Sequence, residues 1–169
     1  MVYQGAWTCR SALSHYIDNV DGTVTDTKTG LMWEKKTTAC AGEITCVNDR
    51  TYTWTTGDNS PDGTLYTTFL SAMNGQVLVG GSETCFAGYC DWRIPTINEL
   101  ASLVTARYPN CTSPPCIDPT LGPTGGSYWS SSSVAGGPNG AWAVEFANGY
   151  AFSVDATSTN YARAVRGGR

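Results

Sequence analysis

Histidine is almost missing from this chain: His15 is the only one among 169 residues. Charge is scarce too, at 14% of residues with a formal net charge of −4. No run is long and apolar enough to read as a bilayer-crossing helix. No signal peptide opens the chain, and Met1, directly before an ordinary polar stretch, reads as an added start. Each shortage excludes something. A single histidine with no nucleophile motif near it does not make a Ser–His triad. It also offers zinc only one imidazole. A net negative chain lacks the electrostatic footprint of a general nucleic-acid binder. The charge is uneven, however. Residues 1–106 hold six Lys/Arg against eleven Asp/Glu, whereas Arg107, Arg163, Arg166 and Arg169 face only Asp118, Glu145 and Asp155 in the remainder. That asymmetry predicts a local basic spot near the C-terminus.

Glycine, serine, threonine, tryptophan and tyrosine are plentiful, and seven cysteines fall as Cys40/Cys46, Cys85/Cys90, Cys111/Cys116 and a lone Cys9. Zinc sites favour gaps of about two to four residues between cysteines, with histidine in support. The gaps here are five, four and four. Short-loop disulfides in an oxidising compartment fit better, each contributing about 2 kcal/mol. Spacing alone leaves connectivity open, and leaves Cys9 either free or paired upstream. A loop-rich, secreted or surface-exposed protein is the expectation.

The length suits one domain with a real core. Residues 1–15 read as an extended arm and 16–169 as the domain. Asp18-Asn19-Val20-Asp21-Gly22-Thr23 invites a calcium-loop reading. With Gly22 at the sixth place, that loop needs an acid at Ile17 and a glutamate at Lys28. A turn into Thr23-Val24-Thr25 is the better reading, with Thr27-Lys28-Thr29-Gly30 as a second turn and Leu31-Met32-Trp33-Glu34 as the returning strand. Leu65, Phe69, Leu70 and Met73 share helical spacing between Thr64 and Asn74. Thr96 and Glu99 form a capping box behind Pro95, predicting a helix to about Val104 that buries Leu100, Leu103 and Val104. Arg93 beside Trp92 reads as a structural charge held by carboxylate or carbonyl partners. Asn110-Cys111-Thr112 matches a glycosylation sequon.

The sharpest pattern is near the end. Trp142, Val144 and Phe146 alternate with Ala143, Glu145 and Ala147, the period of a half-buried strand. Asn148-Gly149 accepts positive φ at both central positions of a tight hairpin loop. A two-residue loop pairs Ala147 with Tyr150, Glu145 with Phe152 and Ala143 with Val154. Paired residues share a face. One face is then core, and the other carries Glu145, Tyr150, Phe152 and Val154 outward. A three-residue loop instead slips the pairing by one and turns the aromatics into core. Exposed Tyr and Phe among Asn, Ser, Thr and Asp have the composition of a binding surface. Tyr150 and Phe152 are its candidate stacking residues. Glu145, Asn148, Asp155, Ser158 and Asn160, with Ser132 and Asn139 from neighbouring loops, are the other candidate ligand-binding residues.

Five segments occur in order: DGTVTDTKTGLMWEK, DWRIPTINELASLV, YWSSSS, AWAVEFANG and YARAVRGG. Together they resemble the Lcl C-terminal domain, a bacterial family of otherwise unknown function named after a collagen-like adhesin, over about residues 16–168. The resemblance implies an α+β, C-type-lectin-like fold of the branch related to formylglycine-generating enzymes. In that fold two short helices flank small twisted antiparallel sheets with long disulfide-closed loops. It also implies an extracellular attachment protein, glycosaminoglycan binding being the family's known activity. Some relatives are variable proteins of diversity-generating retroelements, whose final hairpin is the diversified surface. The Glu-Pro-Asn, Gln-Pro-Asp and Trp-Asn-Asp motifs of calcium-dependent lectins are not present; Gly137-Pro138-Asn139 lacks the acid. The expectation is a non-catalytic module that binds a glycan or a cell-surface protein, with neither metal nor cofactor. It would neither bind nucleic acid nor insert in a membrane. The alternative is a retroelement variable protein, or a tip or decoration subunit of a pilus, filament or virion, with homo-oligomer contacts. An enzyme of the formylglycine-generating kind needs reactive cysteines beside its groove, and none lies in the last fifty residues.

Overall fold

The computed structural model describes residues 14–38, 50–57, 60–76, 84–106, 110–111, 114–124, 126–137 and 139–167. Cys9, Cys40, Cys46, Arg107 and Arg169, and most of the expected N-terminal arm, lie outside them.

Three short strands open the fold: β1 (Tyr16–Asp18), β2 (Thr23–Asp26) and β3 (Met32–Glu34). The first turn follows from its acids. Asp18 Oδ1 accepts the Val20 amide, and Asp21 Oδ1 accepts both the amide and hydroxyl of Thr23. These carboxylates close the turn the sequence suggested there. The expected β2–β3 pair turns out to be the centre of a four-stranded sheet, β1-β2-β3-β9, closed by β9 (Val165–Arg166). Elements of two and three residues are too short to show any periodicity in sequence.

Val20 sits at the turn tip with φ 63° and 91% of its surface exposed. The left-handed region costs an L-residue about 1–2 kcal/mol, and most for β-branched side chains. Exposure gives no packing in return. Val20→Asn is therefore expected to raise stability by up to about 1 kcal/mol, read as a higher melting temperature; an unchanged or lower one counts against strain at this tip.

The segment β4 (Tyr52–Thr53) pairs with β8 (Thr159–Asn160). The predicted 64–74 helix is present as a wide π-helical stretch, Leu65–Leu70, running into α1 (Ser71–Met73). Leu65, Phe69 and Met73, four residues apart, are buried, whereas Leu70 is only partly so. The second helix, α2 (Ile97–Ser102), begins where the capping box placed it. It ends two residues short of Val104, which instead bridges to Ile117.

Glu99 also takes the Arg93 guanidinium in a two-pronged ion pair at 2.6 and 2.8 Å. Arg93 donates as well to the Gly167 carbonyl, the structural role its sequence setting suggested. The guanidinium, with the Thr96 cap, holds the Glu99 carboxyl down at about 2 against an ordinary 4.5. A depressed carboxyl contributes stability above its unfolded value and loses it as pH falls through its folded one. Glu99→Gln should thus destabilise at pH 7 by about 1 kcal/mol or less, since the pair is partly exposed. The gap from wild type should close between about pH 4.5 and pH 2 in urea melts; a gap unchanged across that window would count against the assignment.

The last sheet is β5 (Ser127–Ser133), β6 (Gly140–Glu145) and β7 (Tyr150–Asp155), in that spatial order. The sequence pattern predicts one buried face, but over β5 and β6 both are covered. Trp129, Ala141 and Ala143 lie in one apolar cluster with Trp54, Leu65 and Phe69. Tyr128, Val144 and Phe146 lie in the other with Trp33, Leu100 and Leu103. Ala143 looks like a solvent-side position until its register partner Trp129 is known. The large ring from the next strand covers the small residue. Trp142, expected in the core, is only half-buried.

Ion pairing reaches inside the fold. Glu34, Lys36 and Arg163 are buried, with Lys36 Nζ 2.6 Å from Glu34 and 5.0 Å from the centre of the Phe69 ring. Burial pushes the Lys36 ammonium below its ordinary value, while Glu34 pulls it back. Glu34 also accepts the Ala164 amide, and Arg163 Nη1 donates to the carbonyls of Glu34 and Leu121. The Cys85–Cys90 and Cys111–Cys116 disulfides are formed. Among the described residues no helix is long and apolar enough to cross a membrane.

Candidate functional site

The final hairpin forms, with a different loop from the one the dipeptide suggested. Glu145 pairs with Tyr150, so residues 146–149 make a four-residue connection and Ala147 has no strand partner. Packing supplies the reason. Phe146 leaves the ladder to fill the second apolar cluster, its ring centre 5.0 Å from that of Tyr128, while its carbonyl accepts the Cys116 amide. The turn closes with Gly149 donating to the Glu145 carbonyl, at φ 74°, which suits glycine. Asn148 Oδ1 accepts the Tyr150 amide.

The slip from the expected pairing is two residues, and two residues restore the same face. Tyr150, Phe152 and Val154 still lie with Glu145, Ala143 and Ala141, opposite Trp142 and Val144. Their partners change. Glu145 stands directly across from Tyr150, and Ala143 across from Phe152. On the other side Ser127 pairs with Glu145 and Trp129 with Ala143. Ser127, Glu145 and Tyr150 therefore form one row across three strands, and Trp129, Ala143 and Phe152 the next. Trp129 and Ala143 are buried, whereas Tyr150 and Phe152 are 45% and 38% exposed on the edge strand. Val154, expected outward, is half-buried against the first cluster.

Glu145 is held by two donors: Oε2 accepts the Ser127 hydroxyl at 3.1 Å, and Oε1 the Ala147 amide at 3.2 Å. The sequence reading missed Ser127. It lies one residue before the YWSSSS motif, two before Trp129, and so on the same face; only the β5–β6 register places it beside Glu145.

The nine candidate residues do not converge. Glu145, Asn148, Tyr150 and Phe152 occupy the turn end of the hairpin. Asn139, Asp155 and Ser158 occupy the other end, where Asp155 pairs with Gly140, the Asn139 carbonyl accepts the Ala156 amide, and Ser158 donates its amide to Asp155. Five strand steps from Tyr150 to Asp155 span roughly 17 Å at about 3.3 Å each. Asp155 is occupied locally: the Thr157 hydroxyl and amide bond its Oδ1 and hold the carboxyl below its ordinary value. Ser132 accepts the Ile97 amide, a donor at the start of α2. Asn160 pairs with Tyr52, and its Nδ2 is buried with no hydrogen-bond partner among the described residues. A short hydroxyl or amide in sequence shows its polarity, not the backbone group that claims it.

The expected basic spot does not assemble among the described residues. Arg163 is fully buried, and Arg166 is forked onto Asp91 at 2.7 and 3.1 Å with its guanidinium carbon 3.8 Å from the centre of the Tyr89 ring.

No curated protein and no solved structure matches the chain. One family profile does, described as the Lcl C-terminal domain. Its match runs over residues 22–166, from the turn before β2 to the last arginine of β9, and the chain belongs to that family.

Proposed function

We propose that this chain is a non-catalytic extracellular binding module with a C-type-lectin-like fold, and that the turn end of its final hairpin meets the ligand. The observation that carries the reading is the exposure of Tyr150 and Phe152 side by side on one face of an edge strand, whereas Trp129 of β5 on that face is buried. Rigid aromatics give contact area at low entropic cost, and a pair of them can dominate an affinity. Among the described residues, small antiparallel sheets, the helical segments at 65–73 and 97–102 and two disulfides support the fold assignment. Disulfides form and persist in oxidising compartments, which supports secretion or surface display.

The test is an array of neutral glycans, sulfated glycans and cell-surface proteins, probed with wild type and with the Tyr150→Ala/Phe152→Ala double variant, with and without chelator. Binding that survives chelation and falls at least about 30-fold in the double variant is expected, the scale of one strong anchor. Both side chains are partly exposed, so the melting temperature should change little. Equal binding by the two proteins would sink this site.

A further inference from the structure

Resting on that reading of the hairpin, we propose that its ligand is a cationic segment of a partner protein, with a lysine or arginine side chain lying against Tyr150 beside Glu145. The register sets up this recognition. Residues directly opposite in an antiparallel pair have Cβ atoms about 4.5–5.5 Å apart, so the Glu145 carboxylate and the Tyr150 ring neighbour one another. A cation over an aromatic face is attracted by the ring quadrupole, and a carboxylate alongside adds a charged acceptor. Glu145 is already oriented by Ser127 and the Ala147 amide. A carboxylate has about four acceptor positions, and the donors among the described residues take two of them. Phe152, one step along the same face, extends the apolar surface over which the aliphatic stem of a lysine or arginine can lie.

Five of the ten Lys and Arg residues, all among the described ones, are already engaged within the fold. Arg163 and Lys36 are buried, Arg166 is forked onto Asp91, Arg93 onto Glu99, and Lys35 is paired with Asp18. Among the described residues the charged group standing directly across from Tyr150 is the Glu145 carboxylate, which a sulfated polysaccharide laid there would meet. The net charge of −4 adds a long-range bias in the same direction.

Titration calorimetry with three probes tests this: a lysine decapeptide, heparin and an uncharged cello-oligosaccharide. The decapeptide is expected to bind wild type, and roughly tenfold more weakly to Glu145→Gln and to Tyr150→Ala/Phe152→Ala. Asp155→Asn removes the same charge from the far end of the strand and should leave affinity unchanged; heparin should not bind. Equal weakening by Asp155→Asn and Glu145→Gln would reduce the effect to bulk charge and overturn the proposal. Heparin or oligosaccharide binding that is lost in the aromatic double variant yet unchanged in Glu145→Gln would overturn the cationic class and leave the binding face standing. If no probe separates wild type from the aromatic double variant, the class and the face both fail.

Discussion

Replacing Glu34 by alanine is expected to lower stability by about 3–5 kcal/mol, enough to leave many small domains largely unfolded. Glu34 is fully buried and takes two donors, the Lys36 ammonium and the Ala164 amide. Removing it strands a buried ammonium, and an unpaired buried charge costs far more than a paired one contributes. It also frees the Ala164 amide, beside the point where the Ala164 carbonyl accepts the Glu34 amide. The same physics makes the converse prediction. Glu34→Leu combined with Lys36→Met removes the stranded ammonium and keeps the volume, but leaves Arg163 and the Ala164 amide without the carboxylate, so the double variant should recover part of the loss. Urea melts of the three proteins decide it. A single variant within about 1 kcal/mol of wild type would mean that the interior tolerates the lone Lys36.

Trp129→Ala should cost about 3–5 kcal/mol by loss of packing rather than charge. The indole is fully buried between Trp54, Ala141, Ala143 and the Leu65–Met73 segment. Its Nε1 donates to the Tyr52 carbonyl at 2.6 Å, tying the last sheet to β4 across 77 residues of chain. Truncation opens a cavity and leaves that carbonyl unsatisfied, and the two penalties add. Ala143, directly across, is too small to fill the space. Trp129→Phe retains most of the volume and loses the hydrogen bond, so it should fall between alanine and wild type in denaturant midpoint. Equal losses for Phe and Ala would mean that the hydrogen bond, not the packing, holds the two sheets together.

Local chemistry was legible wherever a few adjacent residues decide the outcome. The Thr96–Glu99 capping box needs only its own turn, and α2 begins there. The cysteine spacing suggested short-loop disulfides, and the structure pairs Cys85 with Cys90 and Cys111 with Cys116. Long-range choices were not legible. Asn148-Gly149 advertised a two-residue loop, but burying Phe146 against Tyr128 outweighed it, because an apolar ring removed from water is worth more than a local turn preference. Ser132 and Asn160 looked like ligand groups and are held in the framework by α2 and β4, which approach them from 35 and 108 residues earlier in the chain.

By itself the sequence determined the family and the alternation that puts Tyr150 and Phe152 on the opposite face from Val144. These depend on residue order and on a strand period of two, which survives a two-residue slip. Tertiary structure alone decided that Glu145 stands opposite Tyr150, that both faces of the last sheet are covered over β5 and β6, and that Arg163 lies inside rather than on a basic edge. Each of those outcomes depends on which distant side chain fills the space beside a residue, and on whether a buried charge finds a carbonyl or carboxylate across the core. Neighbouring residues along the chain carry no information about either.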